Sequence, residues 1–143
     1  MSLNRITPRY TVSPQIMPED LPEIAAAGIK TVICNRPDVE VPGELRSDVI
    51  RIAAEAAGLK FEVLELTHQT MTPENIARQR AIIEGAEGPV LAYCASGTRS
   101  TVAWALGQAG RMPTDAILAA AAAGGYQLDG LRPTLDSLAA NAG

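Results

Sequence analysis

Short β-branched runs alternate along this chain with longer, Ala-rich stretches. Tyr10-Thr-Val12 predicts a short strand. Met17 to Ala27, with Pro18 at its start and Gly28 just past its end, predicts a helix. Ile29 to Cys34 predicts a buried strand, followed by a polar loop from Asn35 to Gly43 and a helix from about Glu44 to Ala57, stopped by Gly58. Leu59 to Leu66 begins by alternating apolar and charged residues, as a half-exposed strand does. After the loop Thr67 to Thr72, Thr72 has the chemistry of a helix cap and Pro73 suits the first helical position, with the helix running to about Glu84. Pro89 to Cys94 predicts a strand whose unbroken apolar run implies burial on both faces. Three helices complete the pattern: Thr101 to Ala109, ended by Gly110; Thr114 to Ala123, ended by Gly124-Gly125; and Pro133 to Ala140.

Such alternation belongs to a parallel sheet between helical layers. The expected fold is a three-layer α/β domain with a central, mostly parallel sheet of four to five strands. No repeat or linker divides the chain, so residues 1–143 form one domain with its core at about 10–135. In open α/β sheets functional groups gather beyond the carboxyl ends of the strands. The loops after Cys34, Leu66 and Cys94 are therefore the places to look.

Composition narrows the classes. An apolar fraction of 47% with 20% charged residues excludes a disordered chain. With 24 alanines, one Phe, one Trp and three Tyr, the core rests on Ile, Val and Leu, and helices approach closely through Ala. The formal charge is −4 without a basic stripe, so no nucleic-acid partner is expected. The longest apolar stretch, Ala116 to Ala123, falls far short of the roughly 20 residues that span a bilayer, so no membrane partner is expected either. The N-terminus lacks the apolar segment of a signal peptide, and two cysteines make no disulfide framework; a reducing cytoplasm is the expected compartment. One His and two distant Cys lack ligand spacing, so neither a metal nor a cofactor is expected.

The sharpest chemical signal is Val90-Leu-Ala-Tyr-Cys94-Ala-Ser-Gly97-Thr-Arg99-Ser100. A cysteine ends a buried strand, and a tight Gly-containing loop leads to an arginine and a helix. Inward backbone N–H groups of Ala95, Ser96, Gly97, Thr98 and Arg99 would form an anion nest, reinforced by the positive end of the helix. Gly97 allows the loop to turn where a Cβ would clash. Arg99 can grip two oxygens of a tetrahedral anion with its planar fork. The same positive field is expected to favour the Cys94 thiolate, to which Ser100 could donate. This is a nucleophilic cysteine facing an oxyanion.

These residues, with Val12-Ser-Pro-Gln-Ile, Pro18-Glu-Asp-Leu, Gly28-Ile-Lys-Thr-Val-Ile-Cys-Asn-Arg-Pro-Asp38, Gly-Tyr126 and Gly-Leu-Arg-Pro133, resemble the phosphatase-like domain of the beta-lactamase-hydrolase-like protein family. That family is a bacterial branch of the protein-tyrosine and dual-specificity phosphatase fold, and the resemblance spans about Val12 to Leu135. It implies attack of Cys94 on phosphorus, a thiophosphate intermediate hydrolysed by water, oxyanion binding by residues 95–99, and help from Ser100 as the thiolate leaves.

Three departures bear on mechanism. The common phosphatase signature is Cys-x5-Arg, whereas Cys94 and Arg99 enclose four residues, as in the persulfide-carrying loop of rhodaneses, Cys-x-x-Gly-x-Arg. Tyr93 stands where phosphatases usually carry His. The Thr67–Thr72 loop lacks the Asp general acid, with no carboxylate before Glu74. A general acid typically contributes about 10²–10⁴-fold. His68 and Asp38 are the candidates to replace it; the alternative reading is a solvated loop histidine for His68 and a turn residue after proline for Asp38. Arg36 either widens the anion site or forms a surface ion pair. Cys34 is a small buried hydrophobe or a disulfide partner for Cys94. Three functions follow: a cysteine phosphatase-like hydrolase, a rhodanese-like sulfurtransferase carrying a Cys94 persulfide, or an idle module binding phosphorylated or sulfated groups. All three take a phosphate- or sulfur-containing anionic partner.

Overall fold

The computed structural model describes residues 1–142. Five strands form one sheet: β1 (Asn4–Thr7), β2 (Tyr10–Ser13), β3 (Thr31–Cys34), β4 (Lys60–Val63) and β5 (Val90–Tyr93). Their order is β1-β2-β5-β3-β4. β2, β5, β3 and β4 run parallel, and β1 joins the edge antiparallel to β2. The α-helices are α1 (Leu21–Ala26), α2 (Ser47–Ala56), α3 (Pro73–Gly85), α4 (Thr98–Gln108), α5 (Thr114–Ala123) and α6 (Arg132–Ala142).

The period of two along the strands divides the core. Val90 and Ala92 of β5 join Tyr10, Val12 and Ile33 in a cluster with Ile83 of α3, Trp104 of α4, Ile117 of α5 and Leu135 of α6. Leu91 and Tyr93 face the other way, with Val32, Leu21 of α1 and Ile50 of α2. Burial on both faces is what the apolar run before Cys94 requires. β4 alternates as expected, with Lys60 and Glu62 exposed and Phe61 buried. β3 and β5 are neighbours, so the loops after Cys34 and Tyr93 open side by side at the carboxyl end of the sheet.

The structure departs locally from the sequence expectations. β1 is an added edge strand; its only buried residue is Ile6, so the stretch carries almost no apolar signal. The expected Met17–Ala27 helix becomes a 3₁₀ turn, Pro18–Asp20, and the short α1, with the Met17 amide donating to the Asp20 carboxylate at 2.9 Å. The expected helix from Glu44 starts at Ser47, because Gly43–Leu45 forms a 3₁₀ turn first. α4 starts at Thr98 rather than Thr101, which tightens the loop after Cys94.

Candidate active site

Between β5 and α4 the chain turns in four residues, Cys94 to Gly97. Gly97 makes the turn with φ +97°, a left-handed conformation that disfavours any Cβ. Its carbonyl accepts from both the amide (3.0 Å) and hydroxyl (2.8 Å) of Thr101, which ties the loop into the first turn of α4. The Gly97 amide donates to Cys94 Sγ at 3.1 Å. The Thr98 amide instead donates to the Ser96 hydroxyl at 3.3 Å. Cys94 is only 1% exposed, so its sulfur lies on the floor of the loop.

Arg99 crosses from the start of α4 to two neighbouring loops. Its Nη1 and Nη2 donate to the two oxygens of Glu40 at 2.8 and 2.7 Å, and Nη1 also donates to the Leu66 carbonyl at 2.9 Å. A guanidinium has five N–H donors. These contacts take the end-on fork and the outer Nη1 proton. Nε–H and the second Nη2 proton, which share the side edge, remain for an anion. Glu40 also accepts from Arg36 Nε at 3.3 Å, while Arg36 Nη1 donates to Gln15 at 3.2 Å. The Arg99 bond, aided by Arg36, holds the Glu40 carboxyl below the usual carboxylate range. Glu40 in turn raises the basicity of Arg99, and Cys94 adds to that shift.

Ser100 faces a buried polar ring. Its hydroxyl donates to Asn35 Oδ1 at 2.8 Å, and its carbonyl accepts from the Tyr10 hydroxyl at 2.7 Å. Gln79 of α3 closes the ring, donating to Tyr10 and Asn35 at 3.0 and 2.9 Å and accepting from Asn35 at 2.8 Å. Asn35 Nδ2 also donates to the Leu64 carbonyl at 2.8 Å. The Ser100 proton is thus directed at Asn35.

The remaining candidates sit around this centre. Asp38 accepts from the Ser47 amide at 2.7 Å and its hydroxyl at 3.0 Å. It thereby satisfies the first amide of α2, where the preceding Arg46 offers no side-chain cap. His68 is exposed and lines a cavity of about 300 Å³ with Thr67, Met71, Thr98, Arg99 and Val102. Cys34 and Cys94 are both free, and Cys34 is paired in register with Tyr93, not Cys94. Its thiol lies 3.4 Å from the Arg36 carbonyl, and burial pushes its pKa up. The Tyr93 hydroxyl is buried without a hydrogen-bond partner among the described residues. No three of His, Cys, Asp and Glu converge as metal ligands among the described residues.

Two residues enter the site that sequence reasoning did not place there. Glu40 lies four positions after Arg36, and that spacing was the only local hint. Tyr126, after α5, donates to the Ser96 carbonyl at 2.9 Å and accepts from Asn4 at 3.0 Å.

Residues 2–111 match the family described as beta-lactamase hydrolase-like protein, phosphatase-like domain. The chain belongs to this family. A beta-lactamase hydrolase-like protein of Agrobacterium fabrum is 37% identical over 109 residues, which cover 76% of this chain and 25% of that protein. The chain thus spans about a quarter of the length of this larger relative. Among solved structures, a candidate phosphatase from Neisseria meningitidis shares 36% identity and a TM-score of 0.86, over 96% of this chain and 99% of that one. A crystal structure of Tk-PTP in the active form matches over 97% of each chain with a TM-score of 0.69 at 18% identity. That distant match carries the fold alone: this chain has the protein-tyrosine-phosphatase-like architecture.

Proposed function

We propose that the chain is a cysteine-dependent phosphatase-like hydrolase of phosphomonoesters. The Cys94 thiolate attacks phosphorus, and the bond from phosphorus to the ester oxygen breaks. Water then attacks the thiophosphate, releasing phosphate and restoring the thiolate. The side edge of Arg99 and the loop amides not engaged by Cys94 or Ser96 hold the phosphoryl oxygens. The observation that carries this reading is the Gly97 amide aimed at Cys94 Sγ, beside an Arg99 whose end-on fork is held by Glu40. We place this chemistry in a reducing cytoplasm, where the thiol stays free.

Leaving-group protonation is the weak step. Asp38 is engaged by Ser47, and the depressed Glu40 carboxyl holds no proton at neutral pH. His68, beside Arg99 in the adjoining cavity, is the remaining candidate. Good leaving groups such as aryl oxides are therefore favoured.

The short loop supports a second reading. In sulfur transfer, the Cys94 thiolate attacks the sulfane sulfur of thiosulfate, sulfite leaves, and the resulting persulfide passes its outer sulfur to a thiol or cyanide. This route needs no leaving-group acid. Incubation with an aryl phosphate, and separately with thiosulfate plus cyanide, discriminates the two. Phosphate release abolished in Cys94→Ser is the expected result; thiocyanate formation alone would establish sulfur transfer. An activity retained by Cys94→Ser would overturn both mechanisms.

A further inference from the structure

A peptide unit points its carbonyl and its N–H in opposite directions. Ser96 C=O and Gly97 N–H belong to one such unit. Its N–H end donates to Cys94 Sγ at 3.1 Å, and its carbonyl end accepts from the Tyr126 hydroxyl at 2.9 Å. Tyr126 Oη accepts in turn from Asn4 Nδ2 on β1 at 3.0 Å. We propose that Asn4 and Tyr126 form a hydrogen-bond relay that aims the Gly97 amide at the Cys94 sulfur, making Tyr126 a positioning residue of the site.

The argument has three parts. The two carbonyls immediately before Gly97 are both anchored outward: Ala95 C=O accepts from the Gln15 amide at 3.3 Å, and Ser96 C=O accepts from Tyr126. The Ser96 anchor is the one made by a side chain, so a single oxygen controls it. That peptide also adjoins Gly97, the loop residue freest to rotate. A flip would turn the carbonyl dipole toward a negatively charged sulfur.

Tyr126 also packs closely against the glycine. A Cβ built on Gly97 would collide with its hydroxyl and with Cζ at 2.8 Å, so the ring fills the space beside the glycine. Hydrogen bonds in series polarise one another, so a donor on the carbonyl strengthens the N–H at the other end. Burial raises the Tyr126 pKa and keeps its proton on the relay. Tyr126 lies outside residues 2–111, so the segment after the family match completes the nucleophile loop.

The effect on turnover rests on the proposed cysteine chemistry, but the relay itself is read by a separate signal. The full-length, ¹⁵N-labelled chain is compared with Tyr126→Phe, which keeps the ring, Asn4→Ala, and Cys94→Ala, which marks the Gly97 amide without its sulfur acceptor. In Tyr126→Phe the Gly97 amide proton should move toward its Cys94→Ala position and exchange with solvent about tenfold faster. Asn4→Ala should shift it the same way by less. Aryl phosphate turnover should fall about tenfold in kcat with little change in KM, because the donor touches the nucleophile rather than the substrate. A Gly97 amide at its wild-type position in both folded variants overturns the relay. Should the amide move while the wild-type chain turns over neither aryl phosphate nor thiosulfate, the relay stands and the enzyme reading falls.

Discussion

Arg99 shows how one side chain is divided between structure and chemistry. Glu40 takes its end-on fork and Leu66 its outer proton, which fixes the guanidinium plane and leaves the side edge for an oxyanion. Removing the Glu40 charge would also strengthen anion attraction through space, so the informative change is Glu40→Asp, which keeps the charge and loses a methylene of reach. We expect kcat/KM for an aryl phosphate to fall about tenfold, a loss of roughly 1.4 kcal/mol in transition-state binding. Wild-type kinetics in Glu40→Asp would remove Glu40 from the site. The pH dependence has a definite sign. A carboxyl held below its ordinary value stabilises the fold above that value and loses the contribution as pH falls through its own lower pKa. Thermal melts should therefore favour wild type over Glu40→Gln at neutral pH, with the gap closing as pH falls below 4.5. Cys94, Gly97 and Arg99 were legible because their relation is local, within one strand-to-helix turn. Glu40 was not, since its partner lies 59 positions away.

At the level of elements, the site is braced by polar groups that a hydrophobic pattern cannot reveal. Gln79 sits on α3 between Arg78 and Arg80, in a stretch that reads as solvated, yet it is fully buried and joins α3 to β2 and to the residue just past β3. Through Asn35 and Tyr10 it holds Ser100 at both its hydroxyl and its carbonyl, fixing the first turn of α4 behind the Cys94 loop. Gln79→Leu keeps the volume but takes one partner each from the buried Tyr10 and Asn35. A loss of about 2–3 kcal/mol is expected in denaturant melts, with Cys94 alkylation slowed or misdirected as α4 loosens. A change under 0.5 kcal/mol would mean that the ring is slack. Thr72 and Pro73 announced the start of α3, and the Thr72 hydroxyl does accept from the Asn75 amide at 3.2 Å. The sequence pattern starts α4 three residues late because Thr98 and Ser100 are weak helix formers. What begins that helix is the left-handed turn at Gly97 and the two hydrogen bonds from Thr101, backbone geometry that a hydrophobic pattern does not register.

For the whole molecule, the question is whether residues after 111 are an appendage to the family segment or part of its core. The alternating strands and helices gave the sheet and its parallel character, because each strand is short and bounded by Gly or Pro. The Ala-rich tail gave no such stripe: nearly every face of Thr114–Ala123 is apolar, so periodicity could not say which side is covered. The structure covers it internally. Ile117, Leu118 and Leu135 are buried with Leu128 in the cluster that contains Trp104 and Val90, and α5 ends against β1, where Gly124 meets Ile6. Deleting four such side chains forfeits about 1.5–3 kcal/mol each in transfer terms, about 6–12 kcal/mol together. A domain of this kind is stable by only about 5–15 kcal/mol. A chain ending at residue 111 should therefore show no cooperative melt and should lose Cys94-dependent activity, with the Trp104 emission shifted toward that of exposed indole. A sigmoidal melt with wild-type Trp104 fluorescence would show that the family segment folds unaided, and that α5 and α6 serve the loop alone.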